Sequence, residues 1–258
     1  MEDLSGILSR AGEIMLRYQH PQVYSKGRHA DFVTEADVAV QSFLEEELAK
    51  AYPSARFYAE EQKDNVLTDA LTFIIDPIDG TTNYFRRRET SMISVGAVEN
   101  RQVVFGALYD PYRRLCYHAE KGRGAYCGFA ALHVSEEPME RALIGLGTSP
   151  YYNELMELTG RTVSVLMPRC ADMRRTGSAA MELCDIAAGR SDGCFEWILQ
   201  PWDYCAGSLL VEEAGGRCGN IHGGGATFEK AIPFMAANAL CFDPLREALQ
   251  EIWQESLS

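Results

Sequence analysis

Apolar residues in the first fifty positions recur at helical spacing. One stripe runs from Leu4 to Tyr18 and predicts a helix over that range. A second helix is expected to begin at Thr34, because Thr34-Glu35-Ala36-Asp37 has the form of a capping box, in which two side chains satisfy free backbone N–H groups. Pro53 is expected to close this helix.

Between residue 53 and residue 140 the pattern favours strands. Leu71–Ile75 is a continuous apolar run that ends at Asp76, and such a run is typical of a strand covered on both faces. Further strands are predicted at 57–59, 92–98, 103–109 and 115–119, with two short edge strands between 121 and 134. The first half is therefore predicted to be two helices followed by a mainly antiparallel sheet.

The second half alternates between strand and helix signals. The predicted order is a strand at 143–147, a helix at 152–158, a strand at 162–167, a helix from Ser178, a strand at 194–196, a helix at 203–214, a strand at 232–236 and a helix at 244–253. Helices between strands imply covered sheets and layered packing. We place a boundary near residue 140 and expect the halves 1–140 and 141–258 to pack tightly as one unit, because no flexible linker separates them.

Composition is that of an ordinary globular protein. The 258 residues are 47% hydrophobic and 24% charged, which argues against disorder. The formal net charge of −13 supplies no field that attracts nucleic acid, so we expect no direct nucleic-acid binding. The same charge would repel an anionic phosphate substrate unless divalent cations inverted the local field. Clustered carboxylates that hold metal are therefore the chemistry to look for.

The N-terminal segment does not predict export. It opens with acids, and its apolar residues lie at helical spacing rather than in one block. No apolar run approaches the ~20 residues that cross a bilayer. We expect a soluble, cytoplasmic protein with no membrane association. The eight cysteines are widely spread without a CxxC pair and are predicted to be reduced thiols.

The clearest chemical signal is Ile75–Asn83, which reads IDPIDGTTN. A buried strand brings Asp76 to its carboxyl end, where ligand sites of layered sheets commonly lie. Asp79 follows, and Gly80 permits a sharp turn beside a ligand. Thr81–Asn83 can begin a helix whose N–H groups face an anion. Two carboxylates, a free carbonyl and a helix start suit a phosphate held by hard cations. An isolated DPxDG is as often a strand end and a turn.

Three further acidic positions have ordinary explanations when taken singly. Glu60-Glu61 follow a short strand, and two glutamates in a loop are usually solvated. Asp203 lies at the start of a helix and Asp37 in a capping box, where an acid commonly serves as a cap.

The segments together resemble the inositol monophosphatase family, within the lithium-sensitive, magnesium-dependent phosphatase superfamily. The resemblance covers nearly the whole chain and rests on six segments in the family's order: DFVTEAD at 31–37, AEE at 59–61, DPIDGTTN at 76–83, RTGSAA at 175–180, PWDYCAG at 201–207 and VEEAGG at 211–216. Ala59 replaces the glycine that the family usually carries before its two glutamates. The resemblance implies an α+β fold, a layered αβαβα sandwich of the inositol monophosphatase and sugar phosphatase type.

The family's ligand set, carried to matching positions, implies two to three Mg²⁺ ions. Glu60, Asp76 and the carbonyl of Ile78 are expected to hold the first ion. Asp76, Asp79 and Asp203 are expected to hold the second, and Glu60 reaches a weaker third through water. This arrangement accounts for an acidic chain with an anionic substrate, because the carboxylates gather cations and the cations bind the phosphate.

The reaction implied by the resemblance is two-metal, in-line transfer of a phosphoryl group to water. Thr81 is expected to orient the attacking water, with Asp37 accepting from the threonine hydroxyl and Glu60 sharing general-base duty. Asp203 is expected to position the water that protonates the leaving alkoxide. The backbone N–H groups of Gly80 and Thr81 are expected to contact the phosphate.

The substrate implied first by the resemblance is myo-inositol 1-phosphate. The expected substrate contacts are Asp79, Gly80, Thr81, Gly177, Ser178, Ala179, Glu196 and Asp203. Gln200 departs from the family, since animal members tend to carry histidine there. Arg86–Arg88 is either a solvated loop, an oligomer contact or a site for a second phosphate. The last interpretation keeps open fructose 1,6-bisphosphate, NADP and 3′-phosphoadenosine 5′-phosphate, and histidinol phosphate is a further alternative.

A different class of function is a non-catalytic family member retained for binding or regulation, since some bacterial relatives bind transcription machinery. The presence of Glu60, Asp76, Asp79, Thr81 and Asp203 argues against it. The resemblance also implies a homodimer and sensitivity to lithium.

Overall fold

A computed structural model describes residues 4–256. Within that range the helices are α1 (Leu4–Arg17), α2 (Glu35–Ala51), α3 (Thr81–Phe85), α4 (Met156–Leu166), α5 (Ala179–Ala187), α6 (Pro201–Glu213) and α7 (Phe242–Ser256). The strands are β1 (Val23–Ser25), β2 (Phe32–Thr34), β3 (Arg56–Ala59), β4 (Thr72–Asp79), β5 (Met92–Glu99), β6 (Gln102–Asp110), β7 (Leu115–Glu120), β8 (Ala125–Cys127), β9 (Ala130–Ala131), β10 (Leu143–Leu146), β11 (Asp172–Arg174), β12 (Gly193–Leu199), β13 (Arg217–Asn220) and β14 (Ile232–Ala237). None of the described helices is both long and apolar enough to cross a bilayer.

The first large sheet has seven strands in the order β3-β4-β5-β6-β7-β8-β9. Only the β3–β4 pair is parallel, and the other pairs are antiparallel. Every residue of β4 is buried. Phe73 and Ile75 pack in a core with α1 and α2, whereas Ile74 packs on the opposite face with α5 and α6. The prediction of a central strand covered on both faces is confirmed.

The second sheet has five strands in the order β11-β10-β12-β14-β13. Strand β10 is parallel to both of its neighbours, and β14 is antiparallel to both of its own. One face packs on α5 and α6, and the other packs on α4 and α7. The layers therefore alternate as helices, sheet, helices, sheet and helices, so the predicted αβαβα sandwich is confirmed.

Helix α6 lies directly on the backbone of the seven-stranded sheet. A Cβ atom added to Gly106 would lie 2.4 Å from the carbonyl oxygen of Ala206, and one added to Gly96 would lie 2.5 Å from Cys205 Sγ. Only glycine permits this approach. The contact positions the first turn of α6, which carries Asp203, over the end of β4.

The predicted strand at 162–167 is wrong, because residues 156–166 form α4. Leu158, Thr162 and Leu166 are buried at a spacing of one helical turn, so the run is one face of an amphipathic helix. The Thr162 hydroxyl donates to the carbonyl of Leu158 at 2.7 Å and accepts from Trp197 Nε1 at 3.2 Å. Tertiary packing therefore overrides the strand preference of this β-branched segment.

Candidate active site

Three aspartates from two elements meet at one end of the seven-stranded sheet. Asp76 and Asp79 lie at the end of β4, and Asp203 lies in the first turn of α6. One carboxylate oxygen from each lies within 4.8 Å of the others. Asp76 and Asp79 are buried, and Asp203 is half-buried. Residues that are far apart in sequence thus form a compact oxygen cluster.

A bulge in β4 turns its two aspartates to the same side. Asp76 pairs with Ser94 and Asp79 pairs with Met92. Two residues of β4, Pro77 and Ile78, therefore face a single residue of β5, Ile93. Pro77 lacks the N–H that regular pairing needs, and the Ile78 N–H donates to Asp76 Oδ1 at 3.0 Å. In an unbroken strand, residues three apart point to opposite faces. The extra residue in the bulge removes that opposition.

The aspartate cluster carries strong electrostatic strain. Burial, followed by the charges of Glu60, Asp79 and Asp203, raises the pKa of Asp76 well above its usual range. Burial and the charge of Asp79 likewise raise the pKa of Asp203. Burial raises the pKa of Asp79 to about 6, although hydrogen bonds from Ser178 Oγ and the Ala180 N–H oppose the rise. These carboxylates need a positive partner to ionise together.

Thr81 and Asp37 meet beside this cluster. The Thr81 hydroxyl lies 3.3 Å from Asp37 Oδ1 and 3.2 Å from the carbonyl oxygen of Ile78. Asp37 Oδ2 accepts the backbone N–H of Thr34 at 2.8 Å, as the predicted capping box requires. Burial raises the pKa of Asp37 to about 6, against the hydrogen bonds from Thr34. One carboxylate therefore caps α2 and fixes Thr81.

Glu60 lies outside the three-aspartate cluster and is held by a lysine. Lys26 Nζ donates to Glu60 Oε1 at 2.7 Å and to Glu61 Oε1 at 2.5 Å. Burial of Lys26 opposes its charged form, but the two glutamates outweigh that effect and raise its pKa. The charge of Glu60 acts on Asp76, so the two carboxylates are neighbours. A metal-ligating role for Glu60 stays a prediction.

The start of α5 brings the second half of the chain onto β4. Ser178 Oγ and the Ala180 N–H both donate to Asp79 Oδ2, the latter at 2.8 Å. A Cβ atom on Gly80 would lie 3.0 Å from the carbonyl oxygen of Gly177. Asn83 Nδ2 lies 3.2 Å from the same oxygen and donates across this junction. The predicted residues of both halves therefore do come together.

A cavity of about 330 Å³ opens over this junction. Of the predicted residues, it is lined by Glu60, Asp79, Gly80, Thr81, Gly177, Ser178, Ala179, Glu196 and Asp203. Asp37, Asp76 and Ile78 are buried behind the lining residues. The cavity therefore provides space for a small molecule beside the acidic cluster.

Glu196 on β12 lines the cavity from the second half of the chain. Its Oε1 accepts the Ser149 N–H at 2.8 Å and the Ser149 hydroxyl at 3.1 Å. Burial raises its pKa to about 7, against those hydrogen bonds and the charge of Arg175. Gly147 is required beside it, because a Cβ atom there would lie 2.4 Å from the Glu196 carboxyl carbon. Glu196 is thus a fixed acceptor facing the cavity.

Glu182 is a cavity residue that the sequence analysis missed. It lies on α5, where its Oε1 accepts the Thr176 hydroxyl at 2.9 Å and the Thr176 N–H at 3.2 Å. Burial raises its pKa to about 8, against these bonds. Its position four residues after Ser178 places it on the same helical face, and this spacing was the available signal.

Gln200 lines the cavity, and its backbone N–H donates to Asp203 Oδ2 at 2.8 Å. Arg86–Arg88, in contrast, lie outside the cavity lining. Arg87 contacts the ring of His20, and the Arg86 guanidinium lies 5.8 Å from the centroid of Phe85. A second phosphate bound at this segment therefore has no support from the geometry.

The comparisons with known proteins decide the family. The model of the inositol monophosphatase family matches residues 4–255. The chain belongs to the inositol monophosphatase family. An inositol-1-monophosphatase of Rhizobium meliloti is 35% identical over 255 residues, which are 93% of this chain and 92% of that protein. The Nus factor SuhB of Escherichia coli K12 is 34% identical over 225 residues, 83% of this chain and 82% of that protein.

A solved structure supports the same fold. The extragenic suppressor protein suhB from Bartonella henselae superposes with a TM-score of 0.89 at 32% identity, covering 96% of this chain and 97% of that one. The prediction of the family is confirmed, and its relatives include phosphatases. The aspartate cluster is a site that could hold metal.

Proposed function

We propose that the protein is a Mg²⁺-dependent phosphatase that hydrolyses small phosphate monoesters, with inositol monophosphate as the reference substrate. The observation that carries the proposal is the cluster of Asp76, Asp79 and Asp203 at the base of a small-molecule cavity. The names of several relatives support inositol 1-phosphate. The alternatives remain fructose 1,6-bisphosphate, NADP, 3′-phosphoadenosine 5′-phosphate and histidinol phosphate.

The aspartate cluster fits a hard divalent cation. It offers carboxylate oxygens, with the Ile78 carbonyl close to Thr81, and these are the donors that Mg²⁺ prefers. Within residues 4–256 none of the three aspartates forms an ion pair with a lysine, arginine or histidine. The mutual repulsion that raises their pKa would therefore be relieved by bound cations. Such ions would neutralise phosphate charge and make a nearby water more acidic.

The protein's own groups prepare the attacking water and the phosphate. Asp37 accepts the hydrogen bond of the Thr81 hydroxyl, so the lone pairs of the Thr81 oxygen are left to accept from a water. Gly80 in the left-handed region, with φ of 84°, turns the backbone toward the cavity. Glu60 is proposed as a shared general base and Asp203 as the group that positions the protonating water.

The lining residues from the second half of the chain favour a hydroxylated leaving group. Glu182 and Glu196 present two carboxyl groups, which accept hydrogen bonds from sugar or polyol hydroxyls. Gly177, Ser178 and Ala179 line the cavity at the start of α5. This arrangement supports a phosphorylated polyol over a purely apolar phosphate ester.

Phosphate release from inositol 1-phosphate, measured with and without Mg²⁺, tests the proposal. We expect release with Mg²⁺ and none after chelation. Asp76→Asn should abolish release, because it removes a charged group that would hold the metal ions. Asp69→Asn is the matched control, since Asp69 is exposed and pairs only with Arg101. Near-wild-type release by the Asp76→Asn variant would contradict the metal assignment.

A second candidate is a regulatory role, which the relative named Nus factor SuhB suggests. No phosphate release by the wild-type protein from inositol 1-phosphate, glycerol 2-phosphate and the alternative substrates would favour this role over catalysis. A homodimer is proposed from the family resemblance, and sedimentation of the purified protein tests it.

A further inference from the structure

Two arginines that the sequence analysis did not single out lie among the residues that line the cavity. Arg28 lies in the turn between β1 and β2, and Arg175 lies in the segment between β11 and α5. Both are exposed. Across residues 4–256, neither side chain forms an ion pair with a carboxylate, whereas most surface arginines of this acidic chain do.

Neutral groups of one loop hold both guanidinium groups. Arg175 Nε donates to the Thr148 hydroxyl at 2.9 Å, and Arg28 donates to the Tyr152 hydroxyl at 3.1 Å. The Arg28 guanidinium also lies 5.3 Å from the centroid of the Tyr152 ring. Each guanidinium carries five N–H donors, so these contacts leave most of the donors available. The loop at 147–152 therefore orients the two guanidinium groups without neutralising their charge.

The position of Arg175 ties it to the substrate side of the site. A Cβ atom on Gly177 would lie 3.2 Å from an Arg175 terminal nitrogen, so the guanidinium packs against the glycine that approaches Gly80. The positive charge of Arg175 also lowers the pKa of Glu196, which lines the same cavity. Arg175 is therefore within the cavity rather than on a remote surface.

Carboxyl groups and cationic groups both line the cavity. The acids include Asp31, Glu60, Asp79, Glu182, Glu196 and Asp203, and the cations are Lys26, Arg28 and Arg175. Lys26 is paired with Glu60 and Glu61, so Arg28 and Arg175 are the lining cations that have no ion pair among residues 4–256. A substrate in this cavity would therefore meet acceptors for its hydroxyl groups and free donors for an anionic group.

We propose that Arg28 and Arg175 bind a second phosphate group of the substrate, so that small bisphosphorylated molecules are preferred over the corresponding monophosphates. The inference rests on the proposed phosphatase function and specifies its substrate class. Arginine forks match phosphate oxygens in geometry and charge. The second phosphate lies at Arg28 and Arg175, not at Arg86–Arg88, which lie outside the cavity.

Matched substrate pairs test this inference. Initial rates of Mg²⁺-dependent phosphate release are measured for fructose 1,6-bisphosphate against fructose 1-phosphate, and for adenosine 2′,5′-bisphosphate against adenosine 2′-monophosphate. The two pairs differ in the spacing of their phosphates. Arg28→Gln and Arg175→Gln are compared with Arg87→Gln, which removes an exposed arginine outside the cavity.

We expect the wild-type kcat/KM to favour the bisphosphate of at least one pair. That preference should fall roughly tenfold in each cavity variant and stay constant in Arg87→Gln. Both members of a pair are measured on one protein preparation, so partial misfolding cancels from the ratio. No preference in the wild type, or a ratio that neither cavity variant changes, overturns the inference while leaving the phosphatase function intact. No hydrolysis of any substrate, inositol 1-phosphate included, overturns the proposed function itself.

Discussion

The two sheets contribute to the site in different ways. The seven-stranded sheet supplies Asp76 and Asp79 from a wholly buried strand whose bulge fixes both carboxylates. The five-stranded half supplies Ser178 at a helix cap, Glu196 held by a loop serine, and Arg175 held by a loop threonine. The residues proposed for the reaction chemistry thus lie on rigid backbone, whereas the proposed contacts for the leaving group are held by loops, which vary most easily. We expect substitutions in the two regions to have different kinetic signatures.

Of the substitutions that compare the two regions, Thr81→Val is expected to have the largest effect, because it removes the hydroxyl while keeping the shape of the side chain. The loss of an oriented water should lower kcat on the order of 10²-fold for every substrate, because the proposed role of Thr81, which donates to Asp37, is to orient the attacking water and not to contact the alcohol. Steady-state kinetics on inositol 1-phosphate and glycerol 2-phosphate measure this. Thr82→Val, at an exposed neighbouring position, is the control. A fall in kcat for only one of the two substrates would contradict the expected difference between the two regions.

The next effect is a loss of stability on replacing Asn83, which lies at the junction between the two regions. Asn83 Nδ2 lies 3.0 Å from the Thr90 carbonyl oxygen in the first half, and 2.9 Å from the Thr176 oxygen and 3.2 Å from the Gly177 oxygen in the second. Asn83→Ala leaves these carbonyls without that donor and should cost on the order of 2 kcal/mol of unfolding free energy. Urea unfolding measures the change, with Thr82→Ala as an exposed control. An unchanged midpoint would show that the two regions are held together elsewhere.

A smaller and more selective effect is expected for Glu196→Gln. Loss of the carboxyl group should raise KM for inositol 1-phosphate about tenfold and change kcat less, because Glu196 lines the cavity and its proposed partner is the leaving group. Glycerol 2-phosphate, with fewer hydroxyls, should be affected less. Glu157→Gln on the exposed side of α4 is the control. An equal fall in kcat on both substrates would place Glu196 in the reaction chemistry instead.

The smallest effect is a change in pH dependence on replacing Glu182. Burial raises its pKa from 4.5 to about 8, so between these values the folded protein keeps a proton that the unfolded chain releases. Stability therefore falls as pH rises through this window. Glu182→Gln retains an acceptor for Thr176 but does not titrate. Between pH ~5 and ~8, urea unfolding should show the wild type losing more unfolding free energy than the variant. If the unfolding free energies of the wild type and the variant changed equally with pH, the raised pKa of Glu182 would be contradicted.

The chemistry of the first region was predictable because it is local in sequence. A continuous apolar run ending at Asp76, followed by Asp79 and Gly80, predicts the buried strand and its turn, whereas the bulge and the continuation of β4 to Asp79 were not predicted. The capping box at Thr34 was equally local, and the structure confirms it. The pairing of Asp203 with these residues needed the family resemblance, since no local pattern joins α6 to β4.

The substrate side was harder to predict because its residues meet only through tertiary packing. The apolar and β-branched residues of α4 favour a strand in the sequence, and only their burial on one helical face shows that they form a helix. Arg28 and Arg175 are 147 positions apart and meet at the cavity through one loop. Strands β11 and β13 are three and four residues long and lack an alternating pattern, so they were not predicted.

Because α6 packs directly on Gly96 and Gly106, the distance between Asp203 on α6 and the aspartates of β4 is set by how closely the helix approaches the sheet. At Gly106 helix and sheet touch through main-chain atoms, and at Gly96 the sheet backbone lies against the Cys205 side chain, so even a methyl group at either position would force them apart. The distance from Asp203 to the β4 carboxylates thus depends on two positions that carry no functional group at all.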